Sequence, residues 1–211
     1  MKLITWITCL LWVGIANLAQ AGGDATAGKA LFAPCIACHG QNAEGNAVLN
    51  APLLAGQEDW YLRRQLNYFK TAIRGADERD TFGLQMRPMA MILATDQAVE
   101  DVIAYINTLP PAYAPSTLDG DPQKGQTLYR LCATCHGQNA EGNAAYQAPR
   151  LAPQHDWYLL TQMKHFKAGI RGQAPNDALG MQMQAVAMTL ADEQAMKHVI
   201  AYIKTLAPSV K

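Results

Sequence analysis

The sequence has little of what would place it in several common classes. Only 16% of its residues are charged, and 17 Lys+Arg balance 17 Asp+Glu. No basic run marks a nucleic-acid surface. No segment alternates apolar and polar residues as a half-buried strand does. Cysteine is scarce as well. Of five in 211 residues, Cys9 lies in the leading apolar stretch, and Cys35, Cys38, Cys132 and Cys135 fall into two short motifs. That leaves none for a structural disulfide.

The leading stretch reads as a secretory signal, with one charge at Lys2, an apolar run from Leu3, and the small-x-small site Ala19-Gln20-Ala21. The expected mature chain starts at Gly22, is exported to the periplasm, and has lost Cys9. The run from Leu3 to Leu18 is shorter than the ~20 residues of a spanning helix, and no later run is long enough. No transmembrane segment is expected in the mature chain.

What is present is Cys-x-x-Cys-His, twice: Cys35-Ile36-Ala37-Cys38-His39 and Cys132-Ala133-Thr134-Cys135-His136. This is the attachment sequence of a c-type haem, in which the thiols bond the porphyrin and the histidine ligates iron. Zinc needs about four ligands with their own spacing, and each motif offers three in one run. A thioredoxin-type pair expects a βαβ setting that is missing here.

The two motifs are 97 residues apart, and that offset aligns Gly28–Pro110 with Gly125–Ala207 without a gap, roughly half the positions being identical. One haem unit is therefore written twice. A proline-rich connector, Pro110 to Thr117, separates the copies. The expected division is a signal at 1–21, units at 22–110 and 119–211, and a linker at 111–118.

Each copy reads as helices. Asp24 and Asp121 cap a helix that runs into the haem motif. A second spans about Gln57–Arg74, with the stripe Leu62, Leu66, Phe69, Ile73 repeated as Leu159, Met163, Phe166, Ile170. A third follows Thr95 or Asp192. Gly- and Pro-containing loops are expected between them.

The repeat also restricts the sixth iron ligand. Methionine thioether is the candidate type. Only Met86/Met183 and Met91/Met188 occur in both copies, because Met89 aligns with Val186 and Met181 with Leu84. Met86 and Met183 follow Gly83 and Gly180 in an expected loop that can approach iron, which favours them. Met89, Met91, Met181 and Met188 read as core filler. His155, His165 and His198 align with Glu58, Tyr68 and Asp101, so no shared role is expected, and they read as solvated helix residues.

With these motifs, the shared segment Gly40–Ala47/Gly137–Ala144, and Pro52-Leu53-Leu54-Ala55-Gly56-Gln57 matched by Pro149-Arg150-Leu151-Ala152-Pro153-Gln154, the chain resembles the two-haem cytochrome c4 family of tandem class I cytochromes c. The resemblance implies an all-α fold of two such domains. It implies that the Pro52 and Pro149 carbonyls accept from the proximal imidazoles, and that Gly28 and Phe32 cross Tyr105 as Gly125 and Tyr129 cross Tyr202. It implies haem-propionate contacts for Trp60, Tyr61, Gln65 and Arg74, and for Trp157, Tyr158, Gln162 and Arg171. Met86-Arg87-Pro88-Met89 fits the family's Met-x-x-Met pattern, whose first methionine binds iron, while Met183-Gln184-Ala185-Val186 keeps only the first. Pro153 in place of Gly56 implies a local difference in the second loop.

The resemblance further implies a periplasmic carrier of single electrons, monomeric, between membrane respiratory complexes such as a quinol–cytochrome c reductase and a terminal oxidase or other reductase. The alternatives are a dihaem enzyme, either a peroxidase or a sulfur-compound dehydrogenase, and a fixed subunit of a respiratory complex. The first half of the mature chain carries net −3 (7 Lys+Arg, 10 Asp+Glu) and the second +2 (9 and 7). Such a dipole fits oriented docking to a protein partner.

Overall fold

The computed structural model describes residues 22–206. The expected signal segment, with Cys9, lies outside the described residues. Among them there is no strand, only isolated bridges at Asn46–Ala51 and Asn143–Ala148. The first unit holds α1 (Ala25–Phe32), α2 (Ile36–His39), α3 (Asp59–Lys70), α4 (Thr81–Met91) and α5 (Asp96–Ile106). The second holds α6 (Pro122–His136), α7 (Asp156–Lys167), α8 (Ala178–Met188) and α9 (Glu193–Thr205). Residues 110–121 between them contain no helix.

The first helix begins at the expected cap in both copies. Asp24 accepts from Thr26 N–H, and Asp121 accepts from Gln123 and Lys124 N–H. In the second unit it runs unbroken through the haem motif as α6. In the first, Ala33–Cys35 tightens to a 3-10 turn and splits α1 from α2. Pro34 stands where the second copy has Leu131, and its missing N–H removes one bond of the ladder.

The terminal helices of each unit cross at a glycine. A Cβ on Gly28 would lie 1.8 Å from the Asp101 carbonyl oxygen, and one on Gly125 would lie 1.9 Å from that of His198. Phe32 then meets Tyr105 with ring centroids 5.4 Å apart, and Tyr129 meets Tyr202 at 5.5 Å. Around these crossings sit the cores. Leu53, Leu62, Val99, Val102, Ile103 and Ile106 fill one, and Leu159, Leu160, Val199, Ile200 and Ile203 the other. Each such side chain contributes about 1.5–3 kcal/mol on burial.

The penultimate helix of each unit corrects the sequence reading. The stretches around Met86 and Met183, expected as loops, are α4 and α8. Asp80 and Asp177 cap them, each accepting a glycine N–H (Gly83, Gly180) at 2.9 Å. Gly83 and, in the first copy, Pro88 inside the helix hide it from propensity rules. The second helix is also shorter than expected, so that Arg74 and Arg171 lie in the loops beyond α3 and α7.

The 55–57 and 152–154 turns differ as expected. Both close the same hydrogen bond, from Gln57 N–H to Leu54 at 3.1 Å and from Gln154 N–H to Leu151 at 3.0 Å. Gly56 does so at φ +75°, whereas the Pro153 ring holds its own φ near about −65°.

Candidate functional site: two cavities with a shared wall

Each unit encloses one large cavity, lined at one end by its Cys-x-x-Cys-His motif. Cavity 1 is bounded by Cys35, Cys38 and His39, and cavity 2 by Cys132, Cys135 and His136. The motif histidines are buried, at 6% and 5% exposed. His39 Nδ1–H donates to the Pro52 carbonyl at 2.9 Å, and His136 Nδ1–H to that of Pro149 at 2.8 Å. A carbonyl can only accept, so the proton sits on Nδ1 and the Nε2 lone pair is free for a metal. Burial lowers both imidazole pKa values against the opposing pull of the carbonyl, which keeps the rings neutral. Burial likewise pushes the Cys132 thiol up to about 11. Among the described residues no three His, Cys, Asp or Glu side chains converge as a metal site of their own.

The methionines separate by whether they line a cavity. Met86 lines cavity 1 and Met183 cavity 2. Met89, one helical turn from Met86, also lines cavity 1, with Val186 as its counterpart in cavity 2. Met91 and Met188 line neither cavity and are not core filler. They point to solvent, 56% and 59% exposed, and Met181 is exposed too. An expected loop at 83–86 gave no phase for the face of each residue; a helix does. Positions 86 and 91 are five apart, about 500° around it, and so fall on different faces.

The cavities meet at the boundary between the units. Gln57, Tyr61 and Gln65 from the first unit, and their repeat counterparts Gln154, Tyr158 and Gln162, line both. One layer of side chains therefore separates the two spaces. Within it Arg74 donates to Gln65 Oε1 at 2.7 Å and to Gln162 Oε1 at 3.2 Å. Arg171 mirrors this with 2.6 Å to Gln162 and 3.2 Å to Gln65. Gln154 holds both backbone polar groups of Leu53, and Gln57 donates to the Arg150 carbonyl. Arg150 pairs with Glu58 at 3.1 Å.

This lattice has a deficit of negative charge. Arg74 and Arg171 are buried side by side with no carboxylate in ion-pair range among the described residues, and the Nε of each has no hydrogen-bond partner. Burial, and then the neighbouring Arg74 guanidinium, lower the Arg171 pKa. Arg74 lines cavity 1 and Arg171 cavity 2. An anionic group bound in the cavities is the partner these cations lack.

Trp157 lines cavity 1, the cavity of the other unit, whereas Trp60 lines neither. Trp60 Nε1 is buried without a partner, and its ring faces Arg64 at 5.2 Å.

The remaining histidines are not solvated helix residues. His155 Nε2 contacts the Glu44 carbonyl across the boundary at 2.8 Å and stacks on Trp157. His198 Nδ1 accepts from Asp121 N–H at 2.8 Å, as Asp101 Oδ1 accepts from Asp24 N–H at 2.7 Å. A role is thus shared across the repeat, contrary to expectation. His165 lines cavity 1. Identity alone hid these pairs, since an imidazole nitrogen and a carboxylate oxygen are both acceptors.

The Cytochrome c family model matches residues 25–110 and again 122–207. The chain is a dihaem cytochrome c of the cytochrome c4 family. It is 35% identical to cytochrome c4 of Azotobacter vinelandii over 95% of this chain and 97% of that one. The structure of reduced recombinant cytochrome c4 from Pseudomonas stutzeri superimposes with TM-score 0.71 at 33% identity, covering 88% of this chain and all of that one. A thiosulfate dehydrogenase electron acceptor of Thiomonas intermedia is 31% identical over 90% of this chain and 84% of its own length. As a member of the cytochrome c4 family the protein carries two covalently bound haem c groups and functions in electron transport with redox partners. Among the described residues no helix is long and apolar enough to cross a membrane.

Beyond the motifs, the sequence reading missed the Gln57/Gln154 pair and the caps Asp80 and Asp177. All four are identical between copies, and that identity was the available signal.

Proposed function

We propose that this protein carries single electrons in the periplasm, from a membrane quinol–cytochrome c reductase to a terminal oxidase or other reductase, and is not itself an enzyme. Its domains are 22–110 and 119–211, with 111–118 as linker. In this reading Cys35, Cys38, Cys132 and Cys135 hold the haems by thioether bonds, and His39 with Met86 and His136 with Met183 are the axial ligands. Arg74 and Arg171, with Tyr61, Tyr158, Trp60 and Trp157 nearby, offset the propionate charge.

The observation that carries the proposal is the shared wall. Six side chains face both cavities, so electrons have one side-chain layer to cross between them. A bound haem supplies one-electron exchange between ferric and ferrous iron. The chain keeps each imidazole neutral and oriented, shields the cavities from water, and fixes the two domains against each other through the Arg–Gln lattice. The matched ligand sets favour a carrier, since a peroxidase or dehydrogenase needs an open or displaceable position at one iron.

A redox titration followed by optical and spin-state spectroscopy tests this reading. Two one-electron steps with low-spin iron throughout are expected. A stable five-coordinate, high-spin haem in either oxidation state would move the protein to the enzyme class. A second reading, that the electron donor is a sulfur-compound dehydrogenase, draws on the likeness to the Thiomonas intermedia protein. Rapid reduction by a thiosulfate dehydrogenase, and slow reduction by quinol–cytochrome c reductase, would favour it.

A further inference from the structure

The near-twofold relation of the two cavities fails at several lining positions, and at one of them an imidazole stands where the other cavity has a phenol. In cavity 2 the wall contributed by the other domain includes Tyr68, hydrogen-bonded to Asp177. The repeat places His165 at the matching position, where it lines cavity 1 beside Asp80. The two carboxylates are otherwise equivalent. Each caps the helix that bears a cavity methionine, and each is 3% exposed. His165 Nδ1 lies 3.8 Å from Asp80 Oδ1 and is buried with no hydrogen-bond partner. Burial raises the Tyr68 phenol above its ordinary value and lowers the His165 imidazole below its own, so the two positions carry groups of very different acidity.

We propose that His165 is a proton-binding site coupled to electron uptake in cavity 1, and that cavity 2 has no counterpart. With haem bound and reduced by an external one-electron donor, His165 would take one proton from water at Nδ1 and keep it there, the imidazolium facing the Asp80 carboxylate. When the electron leaves to an external acceptor, the proton returns to water. No bond to iron forms or breaks.

The charged groups around the ring set the balance. Asp80 at the start of α4 and Asp77 before it favour the proton, while burial and then Arg171 and Arg74 oppose it. Asp77 is itself paired with Arg79 at 2.6 Å. Lys164 and Lys167, on the same helix, are directed elsewhere, to Glu193 and to the Leu190 and Ala191 carbonyls. An added electron in a low-dielectric cavity shifts the balance toward the proton. The result is two electron sites of one fold, only one of which responds to pH in the range where histidine titrates.

The inference rests on the two-electron carrier reading, which fails separately if the protein does not take up two electrons. The test is a redox titration of the haem-loaded protein at several values between about pH 5 and 8. One potential should fall as pH rises, by at most a tenfold change in the reduction equilibrium per pH unit, about 59 mV for a one-electron couple. The other should stay flat. His165→Tyr, which installs the residue of the other copy, should flatten the first. Tyr68→His should give the second a slope of the same sign. His165→Gln fills similar space without titrating and guards against a folding defect in the tyrosine variant. Two flat potentials in the parent protein would overturn the proposal. So would a slope that survives both His165 variants, which would place the proton on a haem carboxyl. An NMR titration giving the His165 ring one pKa in both oxidation states would overturn it as well.

Discussion

His198 makes in the second domain the bond that Asp101 makes in the first. Its Nδ1 accepts the Asp121 N–H at 2.8 Å, where Asp101 Oδ1 accepts that of Asp24 at 2.7 Å. Each bond ties the residue that caps the first helix to the last helix of the domain, next to the glycine crossing. His198→Ala leaves a part-buried N–H without its acceptor and should cost about 1–2 kcal/mol. His198→Asp restores the arrangement of the first domain and should cost little. Denaturant unfolding of the two variants separates them, and equal losses would show that the bond is not what His198 contributes.

The crossing itself gives a sharper prediction. The atom a Gly28 or Gly125 Cβ would strike is a backbone carbonyl, which cannot swing aside as a side chain can. Gly28→Ala or Gly125→Ala must push two helices apart and should cost about 3 kcal/mol, at the upper end of overpacking. Gly22, with nothing within 4 Å, is the control, and alanine there should change stability by less than about 0.5 kcal/mol. Comparable midpoints for all three variants would mean that the helices do not need this approach.

The split among methionines predicts a spectrum. Met86→His or Met183→His should remove the methionine-to-iron absorption band from one domain and leave it in the other. Met91→Leu and Met188→Leu, at side chains more than half exposed, should leave both bands intact. Loss of a band in either leucine variant would reverse the ligand choice.

How much of this was legible follows from what the repeat preserves. Residues identical in both copies, such as the Cys-x-x-Cys-His motifs and Gln65/Gln162, carry a role that two alignable segments expose without a structure. The core stripes were legible too, because burial imposes a 3.6 period. The α4 and α8 helices were not. Their glycine and proline argue against helix locally, and the Asp80 and Asp177 caps that start them lie outside any apolar stripe. The roles of His155, His165 and His198 were illegible for another reason. Each is defined by a partner 75 or more residues away, and substitution between acceptor types conceals the pairing.

The linker yields a prediction about pH. Its Tyr113 donates to the Lys204 carbonyl while the Lys204 ammonium sits over the Tyr113 ring, 4.3 Å from its centroid. That Nζ also donates to the Ala152 and Gln154 carbonyls at 2.9 and 2.7 Å, behind the shared wall, and the residue is 8% exposed. The first copy has Asn107 at this position, so the clamp exists only on the side that receives the linker. Burial pushes the Lys204 pKa from 10.5 down to about 8, against the attraction of Asp156. Between those values the unfolded chain holds a proton that the folded protein has released, so stability should rise with pH across this window. Below about 8 both states are protonated, and the stability gained above it is lost. Lys204→Met keeps the apolar stem and removes the titration. The difference in unfolding free energy between parent and variant should therefore climb from about pH 8 to 10.5 and level off on either side. A difference that stays constant through the window would mean that the ammonium reaches water in solution and that the linker is held instead by Tyr113, by the Ala114 N–H on the Pro153 carbonyl, and by Asp156, which accepts from Thr117 and Leu118 N–H.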